Sequence, residues 1–297
     1  MFIRTLTRTM TTSVTQQAMK AEAAAAGFAA ARITNIRDVG DIRCLELHVE
    51  PDTTIKTGKL FTFKPGQWVD YLIHETGAIG GYSLTSSPES LPTLTLAIKN
   101  SDWPPAKYVH DNEKTKVGQQ IWIRSGGSIY WDAKTTPQRT LMLSAGIGAT
   151  PFLSMLQHLA LSPTATDSRA AIVHSQRSGG GSGGGGGFRG SGGSDWPISE
   201  MRTEFTFADT TPTSIDRNHH MDRMDRIRCF PVATDGSGRG RLSREHIEAA
   251  LTFLEISTDC TSGAVVPYVC GPPTFVDYAC KLLESFETAD VQIERWW

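Results

Sequence analysis

The stretch Leu141-Met-Leu-Ser-Ala-Gly-Ile-Gly-Ala-Thr-Pro-Phe-Leu-Ser-Met-Leu156 constrains the fold more than any other part of the chain. An apolar run of strand length meets a glycine turn and passes at once into a run with helical spacing. A strand followed directly by a helix must cross over before it can pair again, so such a unit belongs in a parallel sheet. Gly146 and Gly148 leave room for a pyrophosphate beside the backbone, Thr150 offers a capping hydroxyl, and Pro151 suits a first helical turn. A helix starting there would aim its free N–H groups and positive dipole end at an anion.

The rest of the chain divides around this unit, and 297 residues suffice for two domains. From residue 31 to 125 short strands alternate with turns, at 31–37, 43–49, 61–63, 68–73, 82–85, 93–99 and 120–124. One helical turn is expected at 107–112, after Pro104-Pro105. This pattern predicts a small antiparallel β-barrel domain over residues 31–133. After Pro137 strands at 140–144, 170–174, 227–232, 265–270 and 291–295 alternate with helices at 151–161, 243–253 and 274–286. That predicts an α/β parallel-sheet, Rossmann-like domain over residues 137–297. In its last helix Phe275, Tyr278, Leu282 and Phe286 recur at helical spacing and are expected in the core. Ser243 is a fair N-cap, although His246 replaces the acid of a full capping box. Between the second and third parallel strands, residues 178–194 are nearly all Gly and Ser, which reads as a flexible insertion. His219 and His220 beyond it read as solvated side chains rather than metal ligands.

A net charge of -2 supplies no field for nucleic acid, and no apolar run approaches the roughly 20 residues of a membrane span. In the first 32 residues Arg4, Arg8, Lys20 and Arg32 oppose one acid, Glu22, among many hydroxyls. Residues 1–30 therefore read as a transit peptide, mitochondrial first, or as a disordered tail of a cytoplasmic protein. Five cysteines occur without a Cys-x-x-Cys pair, so neither an iron-sulfur cluster nor a zinc site is expected. Redox chemistry must then come from an organic cofactor.

Four segments carry a resemblance: Phe63-Lys-Pro-Gly-Gln-Trp-Val-Asp70, Gly80-Gly-Tyr-Ser-Leu-Thr-Ser-Ser-Pro88, the Gly146 turn, and Tyr268-Val-Cys-Gly-Pro-Pro-Thr-Phe275. In this order the chain resembles ferredoxin-NADP reductase-like flavoproteins, and within them the oxidoreductase NAD-binding domain-containing proteins. The resemblance implies a barrel that binds FAD or FMN and a second domain that binds NAD(P)H. It implies that Tyr82 packs on the isoalloxazine and that Ser83 lies near flavin N5. Cys270 would sit beside nicotinamide C4, with Gly271 and Pro272 shaping the backbone. Ser175 and Arg177 would meet the adenosine ribose or its 2'-phosphate, which favours NADP. Trp297 would cover the flavin ring while Glu294 helps arrange the transfer. Gly80 stands where relatives often carry a phosphate-binding arginine, leaving Lys99 or Lys107 to supply that charge. The activity so implied moves a hydride from NAD(P)H to flavin, and electrons then pass to a separate unidentified acceptor, a protein among the candidates. Physical chemistry alone also allows Tyr82 as a barrel-core tyrosine, Cys270 as a small buried hydrophobe, and Trp297 as a core seal. The alternative for the whole chain is a non-catalytic nucleotide-binding module that has lost tight flavin binding.

Overall fold

The computed structural model describes residues 22–50, 60–177, 226–234, 241–257 and 264–295, apart from residues 24, 137, 166, 287 and 289. Strands β1 (Ala29–Val39), β2 (Ile42–Val49), β3 (Trp68–Ile73), β4 (Ala78–Ser83), β5 (Thr93–Lys99) and β6 (Gln120–Gly126) form one antiparallel sheet. Their spatial order is β4-β3-β6-β1-β2-β5. The two edges come together where Leu84 bridges Leu96 and the Thr85 N–H donates to the Thr95 carbonyl at 2.9 Å. The sheet thus curls into the expected barrel. Alternation along β3 sends Val69, Tyr71 and Ile73 into the barrel core and leaves Trp68 and Asp70 on the outer face.

Helix α1 (Pro104–His110) packs Ala106, Tyr108 and Val109 into that core. It starts at Pro104, three residues before the expected position, because proline suits a first turn. Arg43, only 3% exposed, ties β2 to the end of this helix. Its guanidinium donates to Asp38 twice at 2.8 Å, to the Val109 carbonyl at 2.9 Å and to Asn112 at 2.7 Å. Two strand expectations need correction. Residues 61–63 belong to no strand, and Phe61 and Phe63 are held by burial in the barrel core. The strand expected at 82–85 is β4, four residues earlier. Gly80 and Gly81 are paired inside it, opposite Tyr71 and Asp70.

Strands β7 (Arg139–Ala145), β8 (Arg169–Arg177), β9 (Ile227–Thr234), β10 (Val266–Gly271) and β11 (Gln292–Arg295) form a wholly parallel sheet of order β11-β10-β7-β8-β9. Helix α2 (Thr150–Leu161) covers one face through Phe152, Met155 and Leu156 against Met142, Ile172 and Tyr268. Helices α3 (Arg244–Phe253) and α4 (Pro273–Glu284) cover the other. In α4 the buried positions are Val276, Ala279 and Leu283, whereas Tyr278 is 39% exposed and its hydroxyl donates to the Leu242 carbonyl at 2.9 Å. The core face is therefore turned away from Tyr278. At α3 the Ser243 N–H donates to His246 Nδ1 at 3.2 Å, so an imidazole takes the part of the missing acid.

The chain runs from β7 outward to β9 and returns to lay β10 on the other side of β7. That reversal opens a crevice at the carboxyl ends of β7 and β10, where open α/β sheets hold ligands. Helix α2 joins this sheet to the barrel. Ser154 donates to the Ser86 carbonyl at 2.7 Å, Gln157 accepts from the Ser87 N–H at 3.0 Å, and His158 meets Glu89 at 2.7 Å. Ile42, Ala97 and Trp131 of the barrel half share its apolar cluster. The glycine-rich stretch, His219, His220 and most of the basic N-terminal segment lie outside the described residues.

Candidate functional site

A cavity of about 490 Å³ lies where the outer face of the barrel meets the carboxyl ends of the parallel strands. Its barrel wall includes Trp68, Asp70, Ile79, Gly81, Tyr82 and Ser83, and its other wall includes Ile147, Thr150 and Glu294. Alternation explains the first wall. Trp68 pairs with Ser83 and Asp70 with Gly81, so all four face outward, while Tyr82 opposite Val69 faces the barrel core.

Among the described residues two polar atoms of facing walls, Ser83 Oγ on the barrel side and Glu294 Oε2 on the other, are buried without a hydrogen-bond partner, and the Tyr82 hydroxyl is a third orphan that lies over Gly80 on the core side of β4. Buried polar groups are normally paired, so two orphans on facing walls of one cavity suit a ligand with polar edges. Glu294 pairs in register with Cys270, which sets its carboxyl on the barrel-facing side of the sheet. Burial raises its pKa to about 7, so near neutrality it holds a proton for much of the time.

The structure brings five of the expected residues into this cavity: Tyr82, Ser83, Lys99, Thr150 and Glu294. Several depart from their expected parts. Tyr82 is 7% exposed, with its ring edge-on to Tyr71 at 6.0 Å and to Trp103 at 6.1 Å, so it belongs mainly to the barrel core and only borders the cavity. Its ring also folds over Gly80, where an added Cβ would lie 2.7 Å from ring atoms. Cys270 is fully buried, and its carbonyl packs beneath the Gly146–Ala149 turn, so it is a small core residue and does not line the cavity. Thr150 does not cap α2: its hydroxyl donates to the Ile147 carbonyl at 2.8 Å, and Ala149 is the N-cap. Pro151 holds the expected place in the first turn.

The two glycines of the turn do different jobs. Gly146, at φ +53°, needs its missing side chain for conformation, and the space beside it is open. A Cβ on Gly148 would sit 2.5 Å from the Cys270 carbonyl oxygen, so this glycine serves close packing of the turn on β10. Gly271 ends that strand and Pro272 is the N-cap of α4. Ser175 lies opposite Ala145 near the carboxyl end of β8, which closes at Arg177. The Arg177 side chain and Trp297 lie outside what is described. Lys99 pairs with Asp41 at 3.5 Å and Lys107 with Asp102 at 2.8 Å, both in solvent.

Sequence reasoning passed over Trp68, Asp70, Ile79, Trp103, Ile147 and Arg295 as cavity residues. The alternation from 68 to 73 did hold a signal for the first two, since it separates them from Val69 and Tyr71. Among the described residues no helix is long and apolar enough to cross a membrane.

No protein-family model matches the chain. Over 252 residues it is 29% identical to oxidoreductase NAD-binding domain-containing protein 1 of Bos taurus, covering 80% of this chain and 73% of that protein. The protein of the same name from Danio rerio is 29% identical over 246 residues, with 80% and 82% covered. Among solved structures, a ferredoxin NADP+ reductase from Neisseria gonorrhoeae with bound FAD and NADP superposes with a TM-score of 0.62 at 16% identity, covering 91% of this chain and 99% of that one. Phthalate dioxygenase reductase superposes with a TM-score of 0.59 at 16% identity, covering 91% and 68%. An antiparallel sheet curled into a barrel, a parallel sheet behind it and relatives over four-fifths of the length agree: the chain is a homologue of oxidoreductase NAD-binding domain-containing protein 1, with the two-sheet fold of ferredoxin-NADP reductase-like flavoproteins.

Proposed function

We propose that this protein is an NAD(P)H-dependent flavoprotein oxidoreductase that moves a hydride from the nucleotide to a flavin, with electrons then passing to a separate acceptor. The observation that carries this reading is the pair of orphaned polar atoms, Ser83 Oγ and Glu294 Oε2, on facing walls of one apolar cavity between the two halves. A bound flavin, FAD or FMN, would supply the hydride acceptor, which no side chain here can be.

The cavity fits a flat ring system with polar edges. Trp68, Ile79, Ile98 and Trp103 offer apolar surface, and Ser83 Oγ offers a hydrogen bond at the ring edge. Glu294, protonated up to about pH 7, can donate a hydrogen bond or proton from Oε2. The open space at Gly146 and the start of α2 suit the phosphates of a nicotinamide nucleotide, with Ser175 and Arg177 of β8 as candidates for its ribose and 2'-phosphate. Cys270 keeps a supporting role, since its backbone seats the turn that receives the nucleotide. Docking through α2 holds the two walls in one geometry. Catalysis is then mainly placement, with donor and acceptor atoms held about 3 to 3.5 Å apart and water excluded. Phthalate dioxygenase reductase transfers electrons from pyridine nucleotides to 2Fe-2S, which supports an acceptor outside the two halves described here.

The test is anaerobic mixing of the flavin-loaded protein with NADH and with NADPH. Loss of the oxidised flavin absorbance with either nucleotide is expected. Nucleotide binding without any retained flavin would favour the alternative, a non-catalytic module, for which Gly80 beneath Tyr82 is the supporting feature.

A further inference from the structure

On the outer face of the barrel one large flat side chain stands among small ones. Trp68 of β3 pairs in register with Ser83 of β4 on one side and with Gly126 of β6 on the other. Directly paired residues share a face of the sheet, so the indole has a hydroxymethyl group on one flank and bare backbone on the other. A Cβ built on Gly126 would lie 2.6, 2.8 and 3.0 Å from Cη2, Cζ3 and Cζ2 of the indole, and one on Gly127 would lie 2.8 and 2.9 Å from its Nε1 and Cδ1. Near-equal distances to neighbouring ring atoms mean that each position looks onto the face of the ring, because an approach in the ring plane would meet one atom well before the next. The indole therefore lies flat over the end of β6. Its other face is turned to the cavity, which Trp68 lines while remaining part exposed.

Hydrogen bonds fix this bed. Gln67 Nε2 donates to the Gly127 carbonyl at 2.9 Å, Gln67 Oε1 accepts from the Lys64 N–H at 2.7 Å, and the Gln67 carbonyl accepts from the Leu84 N–H at 3.0 Å. One residue thus ties the ends of β3, β4 and β6 together beside the indole. Two positions along β3, Arg124 grips Asp70 through Nε and Nη2 at 3.0 and 2.6 Å. A ring already seated flat has little rotamer freedom left to lose when a second ring is laid on it. Ser83 is small, and a Cβ on Gly81 would meet no atom within 4 Å, so the approach to the indole from β4 is open. Tyr82, the residue that the resemblance sets against the flavin, is instead packed edge-on between Tyr71 and Trp103.

We infer that Trp68 is the residue on which the isoalloxazine stacks, with Ser83 at the edge of the ring, and that Gly126 and Gly127 are glycines because the indole must lie flat to present its free face. This rests on the flavin reading above and deepens it by naming the side chain that recognises the ring. Offset stacking of two flat rings adds to the gain from apolar burial. For nucleic-acid bases on aromatic side chains it changes binding by about 5- to 150-fold per ring. Indole is also electron-rich, and in face-to-face contact it quenches the emission of an excited flavin, whereas a phenyl ring does not.

Titration of the flavin-stripped full chain with FMN and with FAD, read by flavin fluorescence, tests this without turnover in the wild type, Trp68→Leu, Trp68→Phe and Trp103→Phe. The wild type is expected to bind flavin with its emission quenched. Trp68→Leu should bind about 5- to 150-fold more weakly. Trp68→Phe keeps a flat ring, so it should lose less affinity, about tenfold at most, while the emission of the saturated complex rises. A tryptophan that served only to hold the barrel together would give no such rise. Emission that stays quenched in Trp68→Phe, or that is restored by Trp103→Phe instead, overturns the inference. Bleaching of the bound flavin by NADH or NADPH in that same case leaves the oxidoreductase reading standing. Failure of the wild type to bind either flavin overturns both.

Discussion

The two walls of the cavity are made of different material. The parallel-sheet wall is set by backbone against backbone, with Gly148 seated on the carbonyl of Cys270 and Gly146 turning through a left-handed conformation. The barrel wall is set by side chains, with Tyr82 folded over Gly80 between Tyr71 and Trp103 and Ser83 left without a partner. A backbone wall has little freedom to adapt, and it suits a ligand whose phosphates are constant. A wall of side chains can accept a family of related rings.

Substitutions at glycine expose this difference most sharply. Gly148→Ala should cost about 2–3 kcal/mol in urea unfolding, because neither the turn nor β10 can yield 0.5 Å or more without breaking packing. Gly81→Ala meets no atom within 4 Å and should leave the unfolding midpoint almost unchanged. It should nevertheless weaken flavin binding, since the added methyl projects into the cavity. Equal destabilisation by the two changes would erase the contrast between the walls.

Glu294, on the parallel-sheet side but facing the barrel, gives the next effect. Its folded pKa is raised from 4.5 to about 7 by burial. Below about pH 4.5 the carboxyl is neutral in folded and unfolded chains alike and costs nothing. As pH rises toward 7 the unfolded chain loses its proton first, so stability falls, and above 7 the loss is constant. Relative to Glu294→Gln, the wild type should lose about 3 kcal/mol over that window, read from unfolding midpoints across pH. Parallel pH curves for the two proteins would place the carboxyl in water.

Much of this was legible in the sequence, for physical reasons that differ by half. The parallel strands are apolar runs punctuated by helices, and β7, β8, β9, β10 and β11 begin within one residue of their expected starts. Strand β4 was harder, because Gly80 and Gly81 signal a turn locally and only pairing with β3 makes them strand. In the site, Ser83 and Glu294 were visible through the resemblance, and the structure adds that both are buried and unsatisfied. Cys270 and Tyr82 show the limit. A motif gives a position in the chain, but whether a side chain faces ligand or core depends on strand alternation and on what packs above it. Trp103 and Ile147 became cavity residues only once the two sheets were docked through α2.

The most direct test of the central claim is a crystal structure of the protein soaked with flavin. The account predicts electron density for the ring system between the Trp68 and Ser83 wall and Glu294, with a hydrogen bond from Ser83 or Glu294 to the ring edge. Flavin density on another surface, with this cavity filled only by water, would contradict it.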